Sequence, residues 1–232
     1  FKVLLSRKEY AQFSDAGNNI TMTGQLPGGN GELGIRFAGY AKVLPTNGKL
    51  ETKNNSIKVT GSSECIIILS AATDLNWPTV EKRGKDPLAV VEKTVSAASK
   101  FSWKKLKEKH IADYQYYYNR CKLEFTAKQN ESIADLSTAK RLVRYSKGES
   151  DVTLPALYFN FGRYLLISSS RPGGLPANLQ GLWAEEYQAP WNGDYHLNIN
   201  LQMNYWPAEV TNLSDCHKPL VEFTKQLVKP GE

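Results

Sequence analysis

The residues DPLAVVEKTVSAASKF, Asp86 to Phe101, are where the chain changes its period. Asp86 offers a side-chain oxygen at an N-cap position, Pro87 suits a first helical residue, and apolar residues then recur at helical spacing. Everything before this stretch reads as β. FKVLLS (1–6), NITMTGQL (19–26), LGIRFAGYAKVL (33–44), NSIKVT (55–60) and ECIIILSAATDL (64–75) are short runs rich in Val, Ile, Leu, Phe and Thr. Turn formers separate them at Asp15-Ala16-Gly17-Asn18, Pro27-Gly28-Gly29-Asn30-Gly31 and Asn47-Gly48. Ile57 and Val59 alternate with Lys58 and Thr60, and CIIILSAA (65–72) suits a buried strand. Strands with no helix between them predict an antiparallel sheet, part of a β-sandwich.

Everything after Asp86 reads as helix and loop. SWKKLKEKHIADYQYYYNRCKLEF (102–125) has Ser102 as a second cap and should leave the helix near Asn119. SIADLSTAKRLVRYSKGESD (132–151) is polar, a loop with a short helix. VTLPALYFNFGRYLLISSSR (152–171) is a strongly apolar helix of about five turns, with Pro155 tolerable in its first turn. RPGGLPANLQG (171–181) is broken by two prolines and three glycines and must be a loop. LSDCHKPLVEFTKQLV (213–228) is a further helix, with Ser214 as its N-cap. The expected organisation is a β-domain over residues 1–82, a helical linker over 83–135, and the onset of an all-α domain over 136–232.

Composition narrows the function classes. A hydrophobic fraction of 41% with 22% charged residues is that of a globular protein rather than a disordered one. No apolar run approaches the roughly 20 residues needed to span a bilayer, so no membrane partner is expected. The opening on Phe1 and the close on Lys-Pro-Gly-Glu read as the edges of an internal piece of a longer protein. The net charge of +6 raises the question of nucleic acid. Its clusters, KKLKEKH (104–110) and AKRLVRYSK (139–147), are interrupted or followed by acidic residues and tyrosines. They read as solvated helix faces, and no nucleic-acid partner is expected. Cys65, Cys121 and Cys216 have neither metal-ligand nor disulfide spacing and read as structural thiols, so no metal is expected. Sequons at Asn19, Asn54, Asn130 and Asn212 are weak evidence for glycosylation.

The stretch with chemistry in it is WNGDYHLNINLQMNYWPAEV, Trp191 to Val210. It sets four asparagines among two tryptophans, two tyrosines and a histidine, with only Asp194 and Glu209 as carboxylates. Together with Trp183, these rings offer flat apolar faces beside amides that both donate and accept hydrogen bonds. Sugars demand that combination, since their C–H faces pack on rings and their hydroxyls pair with Asn and His. The competing reading, rings as core fillers of a helical domain, stays open on these residues alone. GxSxG, HExxH, P-loop and GxGxxG patterns are absent.

FGRYLLISSSRPGGLPANLQGLW (161–183), APW (189–191) and HLNINLQMNYWPAEVTNLSDCH (196–217) together resemble the signature of glycoside hydrolase family 95. That family holds inverting α-L-fucosidases, including those acting on α1,2-linked fucose, and some α-L-galactosidases. The resemblance implies an N-terminal β-sandwich, a helical linker and then an (α/α)6 barrel, of which this chain would hold the first helices. It implies a fucosylated oligosaccharide or glycan as substrate, no cofactor, and a secreted or periplasmic setting. It also implies roles for particular residues. Asn198 and Asn200 would hold the attacking water, His196 would lie against the sugar, and Trp191 and Trp206 would line the substrate site. The family's general-acid glutamate and activating aspartate lie well downstream of the NIN motif, so the 232 residues by themselves are expected to be inactive. Glu209 would brace a helix and Asp194 would be a loop hydrogen-bonding residue. A non-catalytic carbohydrate-binding protein that kept the asparagines and rings is the alternative from another class.

Overall fold

Strand Leu33–Pro45 is the best-buried part of the β-region, and its residues explain the architecture around it. Ala38, Ala41 and Val43 are all buried, on both faces of the strand, because something covers each face. The computed structural model describes residues 1–76, 84–125, 133 and 135–232. The sequon at Asn130 and the expected boundary at residue 82 lie outside the described residues. Two compact units emerge, Phe1–His110 and Ile111–Glu232.

The first unit contains, among the described residues, seven strands: β1 Lys2–Leu4, β2 Ala11–Ala16, β3 Asn19–Pro27, β4 Leu33–Pro45, β5 Lys49–Thr52, β6 Ser56–Thr60 and β7 Cys65–Thr73. They form two antiparallel sheets, ordered β1-β6-β5 and β2-β3-β4-β7. Ile20 and Val43 of one sheet close a core with Ile57 and Val59 of the other, so the sheets are sandwiched. The expected alternation at 57–60 holds, with Lys58 and Thr60 exposed. Helix α1 (Pro87–Ala98) packs on β4 and β7 and buries Val91 and Val95. Its expected cap is in place: Asp86 Oδ2 accepts from Ala89 N at 3.2 Å, with Pro87 following.

Three expectations need correction here. Asp15 and Ala16 are not turn residues: they end β2, which pairs with β3 and leaves Gly17 and Asn18 to turn the hairpin. Neither β2 nor short β5 is among the five expected strands. CIIILSAA is not a buried strand; β7 is an edge strand with Ile67 and Leu69 exposed. Local composition cannot tell an edge from a centre, because neighbours decide it.

The second unit is helical. It contains the C-terminal part of α2 (Trp103–Tyr118), then α3 Thr138–Ser146, α4 Leu154–Ser169, α5 Asn200–Val210 and α6 Ser214–Val228. Ser102 Oγ accepts from Lys105 N and caps α2 as expected. Ser214 is the first residue of α6 rather than its N-cap. Leu166 and Ile167 of α4, Leu201, Tyr205 and Ala208 of α5, and Leu213 and Cys216 around the start of α6 form one core with Ala177. Each such large apolar side chain contributes about 1.5–3 kcal/mol by leaving water.

Two buried arginines set the frame. Arg163 of α4, almost wholly enclosed, donates to the carbonyls of Tyr117, Tyr118 and Cys121, thereby satisfying the C-terminal end of α2. Arg141 of α3 forks onto Asp151 with two bonds of 2.8 Å, and Asp151 Oδ1 also accepts from Leu154 N at the start of α4.

Candidate active site

The candidate residues lie between the end of α4 and the first turns of α5. Loop Arg171–Trp183 comes first. Asn178 and Gly181 exchange backbone hydrogen bonds, and Asn178 Oδ1 accepts from Gln180 N, folding ANLQG into a tight knot. Gly181 sits at φ +71°, and a Cβ there would strike the Trp183 ring at 2.7 Å. The turn therefore requires glycine. Ala177 N donates to Tyr205 Oη at 2.7 Å, and Tyr195 Oη donates to Pro176 O, so the loop is pinned to α5 and to the ring segment.

The ring segment follows. Trp191, Asn192 and Gly193 are three successive residues at positive φ, 54°, 59° and 58°. A bulky residue there is a genuine outlier, and this one projects its ring: Trp191 is 73% exposed. The turn presents that ring to His196, edge to face with centroids 5.8 Å apart. His196 Nδ1 lies against Asp194 Oδ1 in a close contact that lacks hydrogen-bond geometry. Tyr195 turns inward onto Phe223, and burial pushes its phenol up to about 12, with Tyr205 adding to the shift.

The asparagine pair ends the segment. Leu197, Asn198 and Ile199 form a turn, and Asn200 opens α5. Ile199 is at φ 74° and ψ −42°, close to the rare and strained γ-turn region. The turn is tied into the helix by Leu201 N to His196 O at 3.0 Å, Met203 N to Ile199 O at 2.9 Å and Gln202 Nε2 to Leu197 O at 2.6 Å. Asn198 and Asn200 are exposed, and among the described residues neither amide side chain has a hydrogen-bond partner. Trp206 is exposed farther along α5 and makes no ring contact with Trp191 or His196 among the described residues. Of the five nominated residues the structure joins Trp191 and His196 by a ring contact, while Asn198 and Asn200 follow them along the chain and Trp206 lies in the second turn of α5.

Of the two nearby carboxylates, Glu209 is held by hydrogen bonds and Asp194 lies beside His196. Glu209 accepts from Ser214 Oγ at 2.5 Å and meets His217 Nδ1 at 2.8 Å, a brace between α5 and α6. The Ser214 hydroxyl and then His217 hold its carboxyl below the usual range. The Asp194 carboxylate lies against His196, while its backbone carbonyl accepts from Leu179 N. Among the described residues no group of three or more His, Cys, Asp or Glu is placed to hold a metal ion.

The model of the glycosyl hydrolase family 95 catalytic domain matches residues 102–232. The chain belongs to that family. Relatives include "Alpha-L-fucosidase 2" of Arabidopsis thaliana, 36% identical over 203 residues, or 85% of this chain and 24% of the relative. "Probable alpha-fucosidase A" of Aspergillus niger is 36% identical over 224 residues, 92% of this chain and 28% of its own length. Its namesake in Aspergillus oryzae is 36% identical over 189 residues, 79% and 26% respectively. The chain spans about a quarter of the length of these relatives.

The family 95 helical unit also carries residues that sequence reasoning passed over. A cleft of about 340 Å³ opens beside Leu165 and Ser169 of α4, bordered by Gln180, Gly181, Trp183 and Asn204. None of the five sequence-nominated residues lines it. Asn204 lies one turn beyond Asn200 on the same side of α5, and its Nδ2 donates to Asn178 O at 3.0 Å. The density of amides in NLQG and NINLQMN was the available signal for Asn178, Gln180 and Asn204.

Proposed function

We propose that this family 95 protein hydrolyses terminal α-L-fucosidic bonds, α1,2-linked ones among them, in oligosaccharides or glycans with inversion at the anomeric carbon. The observation that carries this reading is the pair Asn198 and Asn200, exposed and unengaged on either side of the strained Ile199, a few residues along the chain from the Trp191–His196 ring pair. The names of the relatives support fucose as the sugar.

In this reading the Oδ1 atoms of Asn198 and Asn200 accept the two hydrogens of a water on the face of the sugar opposite the leaving group. A neutral amide is too weak a base alone. An aspartate supplied by sequence outside these 232 residues polarises the network and takes the proton that the water loses as it attacks, and a glutamate, also supplied there, protonates the leaving oxygen. Trp191 and Trp206 offer faces for the sugar's C–H groups, and His196 faces the hydroxyls or the C5 methyl. The helices of the second unit are the first of an (α/α)6 barrel. The isolated 232-residue chain is inactive, because the general-acid glutamate and the activating aspartate are not among its residues. No helix among the described residues is long and apolar enough to cross a membrane; we place the enzyme outside the cytoplasm, where fucosylated glycans are met.

The test uses the full-length protein with a fucosyl-α1,2-galactoside, followed by proton NMR. β-L-Fucose appears first if the reading holds, and Asn198→Ala and Asn200→Ala each lower kcat by about a hundredfold or more. Release of the α-anomer first would overturn inversion. Sugar binding without any release would instead make the protein a carbohydrate-binding module.

A further inference from the structure

Loop Asn178–Trp183 touches the ring segment and α5 together, and its contacts converge on Gln180. Gln180 Nε2 donates to Pro190 O at 2.9 Å, immediately before Trp191. Leu179 N donates to Asp194 O at 3.2 Å, on the other side of the left-handed turn. Gly193 closes against the same side chain: a Cβ at 193 would stand 3.2 Å from Gln180 Oε1 and 3.8 Å from Asn178 Nδ2. That Oε1 is buried and has no hydrogen-bond partner among the described residues. An unpaired buried acceptor is unfavourable, and it persists here because the donor half of the amide is needed at Pro190. From the far side of the loop, Asn204 Nδ2 holds Asn178 O. A continuous path therefore runs from α5, which begins at Asn200, through Asn204, Asn178 and Gln180 to the turn that presents Trp191 and His196.

We infer that Gln180 is a positioning residue that fixes the Trp191–His196 ring segment relative to the asparagine-bearing helix α5. It works through its amide donor rather than its bulk. In this role it sets where the rings meet a sugar. The kinetic consequence rests on the sugar-hydrolase reading above, whereas the structural one does not.

The experiment compares full-length wild type with Gln180→Leu and Gln180→Glu. The glutamate keeps shape and acceptor but, when ionised, loses the donor to Pro190 O. Both variants speed hydrogen exchange at the amides of Leu179, Asn192 and Asp194 by about fivefold, the equivalent of one net hydrogen bond. Exchange in α6 is unchanged. With an aryl α-L-fucoside both variants raise KM about fivefold and leave kcat within about twofold, as expected when ground-state and transition-state binding fall together. For Gln180→Glu the KM ratio to wild type shrinks as pH falls and the carboxyl regains a proton to donate, a signature that loss of packing does not produce. Should Gln180→Leu fail to fold, the near-isosteric Gln180→Glu carries the test. Unchanged exchange at Leu179, Asn192 and Asp194 overturns the inference whatever the activity. Altered exchange in a protein that hydrolyses no fucoside leaves the positioning role standing and overturns the function reading instead.

Discussion

Tyr205 Oη and Ser170 Oγ meet at 2.8 Å inside the helical core, and the atoms around them leave only one proton order. Ser170 donates to the Cys216 carbonyl at 2.7 Å, so it must accept from Tyr205, which in turn accepts from Ala177 N at 2.7 Å. Burial pushes the Tyr205 phenol up, against the opposing pull of these bonds, so it remains a donor. The chain of bonds joins the end of α4, the GLPAN loop, α5 and α6. Tyr205→Phe removes the hydroxyl and strands Ala177 N in a buried place. We expect a loss of about 1–3 kcal/mol, read as a lower denaturation midpoint of the full-length protein. A loss below about 0.5 kcal/mol would show the network to be incidental.

The brace at Glu209 gives an acid-side prediction. Ser214 and His217 depress the Glu209 carboxyl, and Lys218 followed by Arg120 depress that of Asp215. A carboxyl depressed on folding contributes stability above its unfolded value, here 4.5 for Glu209 and 3.8 for Asp215, and the contribution is lost as pH falls through the folded value. Glu209 is exposed and Asp215 half-buried, so the effect is small and weakens with salt. Glu209→Gln should flatten the fall in Tm between about pH 5 and pH 3. Identical slopes for the variant and wild type would exclude Glu209 as a contributor.

How much of this was legible beforehand follows from the range of each interaction. The start of α1 is local, an aspartate and a proline at fixed offsets, and the cap at Asp86 is where it was expected. The RPGGLPANLQG loop is just as local, since Gly181 and the prolines leave no other choice. Strand β2, AQFSDA, carries Gln12, Ser14 and Asp15 among few apolar residues, so its own pattern is weak and pairing with β3 makes it a strand. Arg163 reaches carbonyls more than forty residues earlier, and Ser170 meets Tyr205 thirty-five residues later. Such partners exist only once the chain has folded. At the candidate site the residue types were readable. The left-handed run at Trp191–Gly193 and the role of Gln180 behind it were not, because both depend on a second loop.

Sugar selectivity tests the placement of His196. Its ring stands at right angles to that of Trp191 and lies against Asp194, a placement expected to crowd a bulkier sugar. L-Galactose differs from L-fucose by a hydroxyl on the C5 substituent. In the full-length protein an aryl α-L-fucoside should be turned over about tenfold faster or more, by kcat/KM, than the matching α-L-galactoside. His196→Ala should narrow that ratio. A galactoside preferred by the wild type would reassign the enzyme as an α-L-galactosidase.

Ile199 separates stability from activity in one residue. A β-branched side chain at φ 74° is held in a conformation that costs about 1–3 kcal/mol, and it is held there between the two asparagines. Glycine adopts that backbone freely, but its unfolded chain gains entropy, which offsets about 0.5–1 kcal/mol of the relief. Ile199 is itself half exposed, so little apolar burial is lost. Ile199→Gly should therefore leave Tm unchanged or slightly higher. If the strained turn is what aims Asn198 and Asn200 at a common water, freeing it lets the two amides drift, and kcat should fall about tenfold or more while KM changes little. A variant that gains stability and keeps full kcat would mean that the strain has no part in placing the asparagines, and that their aim is set elsewhere along α5.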